Sequence, residues 1–228
     1  MIHLSAWKSA AFMAALSAIT LLVYSVFRNK TYFDFLTWNL FLAWVPFVFS
    51  FIAYEIGRGA QSRTRAAIIV FLGAGWLLFY PNAPYIVTDL VHLTAMKGLY
   101  ASGQGTFAFR YWYDLLVLVL FAWNGLLLCA YSLYQVHSLI RLAAGSLLAW
   151  SFVAAAALLG GYGVLLGRVY RLNSWDVLRD VSLIKRIALE SLHAPAMLFC
   201  LLFGLMIGIV YVSFYFVVHQ AVRAAKRA

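Results

Sequence analysis

Charged residues are what this sequence has least of. Only 11% of its 228 residues are Asp, Glu, Lys or Arg, whereas about 25% are charged in an average soluble domain. Hydrophobic residues make up 65% of the chain, and the mean hydropathy is +0.90. This balance excludes an ordinary soluble domain and indicates a polytopic membrane protein.

Acidic residues and cysteines are also few. Seven acidic residues stand against seventeen basic ones, which gives a net charge of +10. The basic residues flank apolar runs, so we expect them to contact anionic lipid headgroups, and we expect membrane lipids rather than nucleic acid as partners. Cys129 and Cys200 both lie inside apolar runs, which argues against a disulfide and against a zinc ribbon.

Six apolar runs predict six transmembrane helices in one domain, residues 1–228. About 20 residues are needed to cross a bilayer. The runs are residues 9–27, 36–56, 66–80, 111–134, 142–166 and 194–218. Between the fourth and fifth runs, residues 135–141 are interpreted as a tight basic turn. The predicted fold is therefore an all-α membrane bundle, with a short broken helix after the third span and an amphipathic helix (residues 177–190) in the membrane interface before the sixth.

The helix break after the third run concentrates unusual residues. Proline removes a backbone donor and clashes one turn back, so the incoming helix should stop here, with an asparagine as the N-cap of the next helix. The residues of the break are Pro81, Asn82 and Pro84. The restarted helix then carries Asp89 and His92 on one face. Ionisable side chains at such a place in a membrane protein are costly, which indicates function.

Asp89, His92 and Asp114 are the candidate catalytic residues. An acid and an imidazole three residues apart suit acid–base chemistry, and together with Asp114 they suit a divalent metal. A hydrogen-bonded pair that caps the helix break is the structural alternative, and a transport gate is another. We assign no metal site, and the sequence identifies no cofactor.

A second polar segment, residues 167–176, contains several side chains that could bind a phosphate group. Its candidate anion-binding residues are Arg168, Arg171, Asn173 and Asp176. Guanidinium groups match phosphate geometry, and two arginines three apart would face the same way on a helical turn. The alternative is an interfacial anchor with Trp175 in the aromatic belt. We interpret Trp38-Asn39 and Trp112 beside Asp114 as interface residues of the same kind.

The distribution of basic residues orients the six predicted spans. The even-numbered loops and the termini carry eight Lys and Arg, and the odd-numbered loops carry nine. Without the loop at 167–193 the odd side carries four, which favours cytoplasmic termini. The excess in that loop then has two explanations: bound anions, or an inverted topology. We favour bound anions, which places both polar segments on the external face.

Four sequence blocks resemble a bacterial membrane-protein family catalogued as domain of unknown function 1361. The blocks are residues 38–44 (Trp-Asn-Leu-Phe-Leu-Ala-Trp), 79–93 (Phe-Tyr-Pro-Asn-Ala-Pro-Tyr-Ile-Val-Thr-Asp-Leu-Val-His-Leu), 112–114 (Trp-Tyr-Asp) and 167–176 (Gly-Arg-x-x-Arg-x-Asn-Ser-Trp-Asp). The resemblance covers nearly the whole chain. It implies a multi-pass bacterial membrane protein and supplies no catalytic residues.

The expected function is that of a multi-pass protein of the bacterial cytoplasmic (inner) membrane. Its external polar site would act on or bind a phosphate-bearing lipid or glycolipid. The alternatives are a transporter or channel, which a polar path through Asn124 would favour, and a structural subunit of a membrane complex. The sequence leaves open whether the protein is an enzyme, and it does not indicate an oligomeric state.

Overall fold

All regular structure in the described chain is helical. The computed structural model describes residues 6–26, 33–59, 62–95, 106–179 and 181–225. A 3-10 helix, Ile86–Leu90, joins α4 to α5. The α-helices are α1 (Ala6–Val26), α2 (Leu36–Gly57), α3 (Arg63–Phe79), α4 (Asn82–Tyr85), α5 (Val91–Ala95), α6 (Thr106–Arg168), α7 (Asp176–Arg179), α8 (Val181–Glu190) and α9 (Ala194–Ala225). The predicted all-α class is confirmed.

The outer surface of the bundle is apolar, as in a membrane protein. Five helical stretches of the described residues are long and apolar enough to cross a bilayer. On α9 the side chains of Leu201, Leu205 and Ile209 are each more than half exposed. A helix that is hydrophobic all round is stable when lipid or protein covers it. The chain is therefore a helical membrane protein, with the predicted short helices between α3 and α6.

The longest helix, α6, is bent back on itself at Gly145. This glycine has φ 87° and ψ 174°, a conformation that L side chains rarely adopt. Close to the bend, the rings of His137 and Trp150 lie 4.9 Å apart. Farther from it, Gly125 and Gly163 both pack against residues 81–83. The two limbs, residues 106–144 and 146–168, therefore run antiparallel, and the described chain has six long helices when the limbs are counted separately.

The turn predicted at residues 135–141 is wrong, because α6 continues through them. Gln135 and His137 are buried, each 1% exposed. Gln135 accepts a hydrogen bond from Ser50 on α2 at 2.7 Å, and His137 bonds to the hydroxyl of Tyr211 on α9. No glycine or proline interrupts this stretch, so the helix ends at the first residue with the required backbone freedom, Gly145.

Close backbone packing holds the end of α6 against the turn after α3. A Cβ on Gly163 would overlap the ring of Pro81, and a Cβ on Gly167 would lie 3.1 Å from the ring of Tyr85. On the opposite side Gly161 lies against the backbone of α9 at Cys200. The absence of side chains at these positions lets three segments meet closely. The loop after α6 is thereby placed over α4.

Candidate ligand-binding site

The helix break after α3 is tight rather than open. Pro81 has helical dihedral angles, φ −60° and ψ −23°, and is the N-cap residue of α4. Tyr85 N–H donates to the Pro81 carbonyl at 3.0 Å, and Ala83 N–H donates to Tyr80 at 3.2 Å. The chain therefore turns at Tyr80 and Pro81, the two residues between α3 and α4. Pro84 is buried in the first turn of α4.

Asn82 is the first residue of α4, not its N-cap as the sequence suggested. Its side-chain amide donates to the Phe79 carbonyl at 2.9 Å, which is one of the carbonyls left unpaired where α3 ends. The same amide donates to the Ser174 hydroxyl at 3.0 Å. Asn82 therefore closes the end of α3 and ties the helix break to the loop after α6.

Asp89 is a buried carboxylate held by two distant segments. It lies on the 3-10 helix and is 1% exposed. One oxygen, Oδ2, accepts a hydrogen bond from the Asn39 amide of α2 at 2.8 Å. The other, Oδ1, lies 3.5 Å from Nη1 of Arg168 at the end of α6. A buried charge requires such partners, so the ion pair offsets the cost of enclosing Asp89.

One ring nitrogen of His92 is held by a hydrogen bond, and its ring packs against a neighbouring aromatic side chain. Its Nδ1 lies 2.9 Å from the backbone carbonyl of Asp89 and 4.0 Å from Oδ1 of the same residue. Its ring packs on Phe35, with centroids 4.6 Å apart. A carbonyl oxygen only accepts, so Nδ1 carries a proton, and in the neutral form of the ring Nε2 is the acceptor.

The loop after α6 does not continue the helix, contrary to the expectation of one helical turn for its two arginines. Arg168 is the last residue of α6. Arg171 has φ 57°, and the chain reverses as Leu172 N–H donates to the Leu166 carbonyl at 3.1 Å. The left-handed conformation is costly for a residue other than glycine. The reversal, not helical spacing, brings the two arginines to one place.

Asn173 and Asp176 close this loop on themselves. Oδ2 of Asp176 accepts from the backbone N–H of Asn173 at 2.7 Å and from its side-chain amide at 3.2 Å. The Asp176 N–H donates back to the Asn173 carbonyl at 3.0 Å. The Asp176 carboxylate thus closes the turn at residues 173–176 that precedes α7.

A cavity of about 740 Å³ lies between these segments. Its wall carries two guanidinium groups together with leucine and aromatic side chains from α2, α3, the second limb of α6 and the loop after it. The polar lining residues are Asn39, Asn82, His92, Arg168, Arg171, Asn173 and Ser174. The apolar ones include Trp38, Leu42, Leu77, Leu78, Leu159, Leu166 and Trp175. A cavity with both kinds of wall suits an amphiphilic ligand.

The structure brings together most of the predicted site residues, but not all. Of the candidate catalytic residues, His92 lines the cavity and Asp89 lies directly behind it. Asp114 is fully buried in the first limb of α6 and is not a lining residue. Of the candidate anion-binding residues, Asp176 is not in the wall either. The described residues contain no group of three metal-ligating side chains.

Asn39 and Ser174 are site residues whose roles the sequence did not reveal. Asn39 was interpreted as an interface residue beside Trp38, yet it binds Asp89. The available signal was an amide in the first turn of a mainly apolar helix, since a buried amide side chain needs a hydrogen-bond partner. Ser174 gave no signal of its own, because the pairing with Asn82 joins positions far apart in the chain.

The fold and this cavity define a helical membrane protein with an amphiphilic pocket at one end of its bundle. A family model described as protein of unknown function (DUF1361) matches residues 38–210, so the chain belongs to this family. The match includes every residue named above as lining the cavity. Neither a curated protein nor a solved structure matches the chain.

Proposed function

We propose that this protein binds a phosphate-bearing lipid or glycolipid in the cavity beside Arg168 and Arg171. The observation that carries the proposal is the composition of the wall. Two guanidinium groups and three side-chain amides line the cavity together with several leucine side chains. Guanidinium groups bind phosphate oxygens strongly, and the apolar wall suits an acyl or prenyl chain.

The proposed setting is the bacterial cytoplasmic (inner) membrane, with six spans and with the cavity on the external face. The antiparallel limbs of α6 support six spans, because each limb is long enough to cross. The helix α8 has exposed Lys185 and Arg186 and a buried Ile187, which is typical of an amphipathic helix in the interface. Outside residues 167–193, the larger number of Lys and Arg on the side of the termini supports cytoplasmic termini.

Catalysis on the bound ligand is a second candidate function, favoured by the orientation of His92. Its Nδ1 is held by the Asp89 carbonyl, and the ring lines the cavity. This arrangement would let Nε2 accept a proton from a hydroxyl of the ligand or from water. Asp89 would act on the imidazole rather than on the ligand, because its own oxygens face Asn39, Arg168 and His92.

Transport gains less support from the interior of the bundle. Asn124, the polar residue in the middle of the first limb, accepts from Ser17 at 2.9 Å and donates to Thr20 at 2.7 Å. These bonds join α6 to α1 and bury Asn124 to 1% exposure. Its hydrogen bonds serve helix packing.

Lipid binding to the purified, delipidated full chain tests the proposal. We expect dioleoyl phosphatidylglycerol to bind, measured by native mass spectrometry, and zwitterionic dioleoyl phosphatidylcholine to bind at least about tenfold more weakly. Arg171→Ala should weaken phosphatidylglycerol binding by about tenfold. Because Arg168 balances a buried carboxylate, it is tested as the pair Asp89→Asn plus Arg168→Gln, which should also weaken binding.

The matched control removes two positive charges from the helices that follow the cavity loop, at residues that do not line the cavity. Arg179→Ala plus Arg186→Ala changes exposed residues of α7 and α8 and should leave lipid binding within about twofold. If this control loses as much binding as Arg171→Ala, attraction to the general surface charge explains the result. Soluble glycerol phosphate is the second arm: binding as tight as that of the lipid would overturn a lipid ligand in favour of a free phosphate ester.

A further inference from the structure

Three asparagine side chains of the cavity wall use their amide nitrogens in hydrogen bonds within the protein. The Asn39 amide nitrogen donates to the Asp89 carboxylate. Asn82 uses its amide nitrogen for Phe79 and Ser174, and Asn173 donates its own to Asp176. Carboxylates and carbonyls only accept, so the assignment of each amide nitrogen follows from its partner. None of these bonds uses the carbonyl oxygen of the three side chains, so each cavity-lining asparagine has an acceptor available for a ligand.

His92 has the same polarity as these amides. Its Nδ1–H is used by the Asp89 carbonyl, which leaves Nε2 as the acceptor of a ring that lines the cavity. Asp89 orients two of these four residues: its carboxylate accepts from the Asn39 amide, and its backbone carbonyl accepts from Nδ1–H of His92. Beside the two cationic donors Arg168 and Arg171, the three asparagines and His92 thus add four neutral acceptors to a wall that also holds the Ser174 hydroxyl and two indole N–H groups.

We infer that the headgroup bound here carries hydroxyl groups beside its phosphate, as in a polyol phosphate or a sugar phosphate. The guanidinium groups bind the phosphate oxygens, and the acceptors take hydrogen bonds from the hydroxyls. An ammonium headgroup would also donate hydrogen bonds, but the two positive charges beside it disfavour it. A bare phosphate would leave the four acceptors without a donor from the ligand, which lowers affinity. This inference rests on the proposed function and narrows its ligand class.

Two phospholipids of equal charge separate hydroxyl recognition from attraction to phosphate. Dioleoyl phosphatidylglycerol and dioleoyl phosphatidylmethanol are both singly charged diesters with the same acyl chains, and only the first carries headgroup hydroxyls. Each hydrogen bond contributes about a three- to tenfold gain in affinity. We therefore expect the delipidated full chain to bind phosphatidylglycerol about tenfold more tightly, as measured by native mass spectrometry.

His92→Phe should reduce this preference by about threefold while keeping an aromatic ring against Phe35. Asp89→Asn provides an independent variant. Arg168 would draw the oxygen of the new amide, so its nitrogen would face Asn39. Asn39 would then turn its carbonyl oxygen to that nitrogen and present a donor to the cavity. Asp89→Asn should therefore also reduce the preference, although it changes no residue in the cavity wall.

The outcomes separate this inference from the proposed function. Equal wild-type affinity for the two lipids, with both lost on Arg171→Ala, overturns hydroxyl recognition and leaves phosphate binding intact. A preference that is the same in wild type, His92→Phe and Asp89→Asn also overturns it, because the hydroxyls would then be recognised elsewhere. Binding of neither lipid overturns both proposals.

Discussion

Asp89 connects three parts of the chain that are far apart in sequence. Its side chain accepts from Asn39 at the start of α2 and pairs with Arg168 at the end of α6, and its carbonyl fixes His92. A buried ion pair adds little stability relative to apolar residues, but the loss of one partner leaves an uncompensated charge. The structural role and the proposed binding role of Asp89 therefore meet in one carboxylate.

The ion pair predicts an unequal response to single substitutions. Arg168→Ala should lower the free energy of unfolding by about 2 kcal/mol. Removing one partner of a fully buried ion pair costs about 3–5 kcal/mol, and the effect is smaller here because the Arg168 side chain is 24% exposed. Asp89→Asn, which removes the buried charge itself, should cost less, and the double variant Asp89→Asn plus Arg168→Gln should cost less than Arg168→Ala. Unfolding of the purified chain in detergent measures all three.

Arg179→Ala, at an exposed position of α7, is the control for loss of a positive charge at the surface. An effect of Arg168→Ala no larger than that of Arg179→Ala would show that Asp89 does not depend on its guanidinium partner. Asp89→Asn and His92→Gln should both still insert and accumulate. Failure of both to accumulate would show that the pair serves mainly to close the helix break.

At the scale of single elements, the bend in α6 depends on one residue. A Cβ on Gly145 would meet no atom within 4 Å, so the backbone conformation at φ 87° is the reason for glycine there. Gly145→Ala should lower the free energy of unfolding by about 1–3 kcal/mol, measured as a lower midpoint of thermal unfolding in detergent.

Gly73 on α3 offers a matched control. It also has no atom within 4 Å of an added Cβ, and its backbone is helical. Gly73→Ala should be neutral or stabilise by up to about 1 kcal/mol, because alanine favours a helix. Equal effects of the two substitutions would mean that the bend does not require a positive φ.

The sequence predicted elements well where local chemistry decides the structure. Pro81, followed by a second proline at position 84, ends α3, whereas the single proline Pro46 lies inside α2. Apolar runs of about 20 residues must form helices in lipid. The prediction for residues 135–141 was wrong, because their polar side chains suggested a turn where the chain forms a helix. Ser50 and Tyr211, which hold Gln135 and His137 inside the bundle, are distant in sequence, and local patterns carry no information about them.

The candidate site was predictable to the same extent. Asp89, His92, Arg168 and Arg171 were identified by residue type, and the fold places them around one cavity. The sequence could not show that Asp114 lies away from the cavity wall, because the rotation of α6 decides which side its carboxylate faces. Nor could it show that Asn39 is turned toward Asp89. Side-chain orientation depends on tertiary packing that one sequence does not reveal.

At the scale of the whole molecule, all segments that form the cavity lie at one end of the bundle. They are the start of α2, the end of α3 with the segment that follows it, and the end of α6 with the loop that follows it. The six crossings that we propose would place these segments on one side of the membrane and both termini on the other. The proposed topology therefore predicts which single cysteines an impermeant maleimide reaches from outside intact cells, in a background with Cys129→Ser and Cys200→Ser.

Thr94→Cys and Val169→Cys introduce thiols at exposed positions at the cavity end, and Arg63→Cys and Gln220→Cys do so at the opposite end. We expect the first two to react in intact cells and the last two to react only after permeabilisation. The reverse pattern would place the cavity on the cytoplasmic side and leave the basic residues of the loop after α6 in accord with the positive-inside rule. Labelling of only one member of either pair would contradict six crossings. The cavity requires His92 and Arg168 to lie on the same side of the membrane. An odd number of crossings between Thr94 and Val169 would place them on opposite sides of the bilayer.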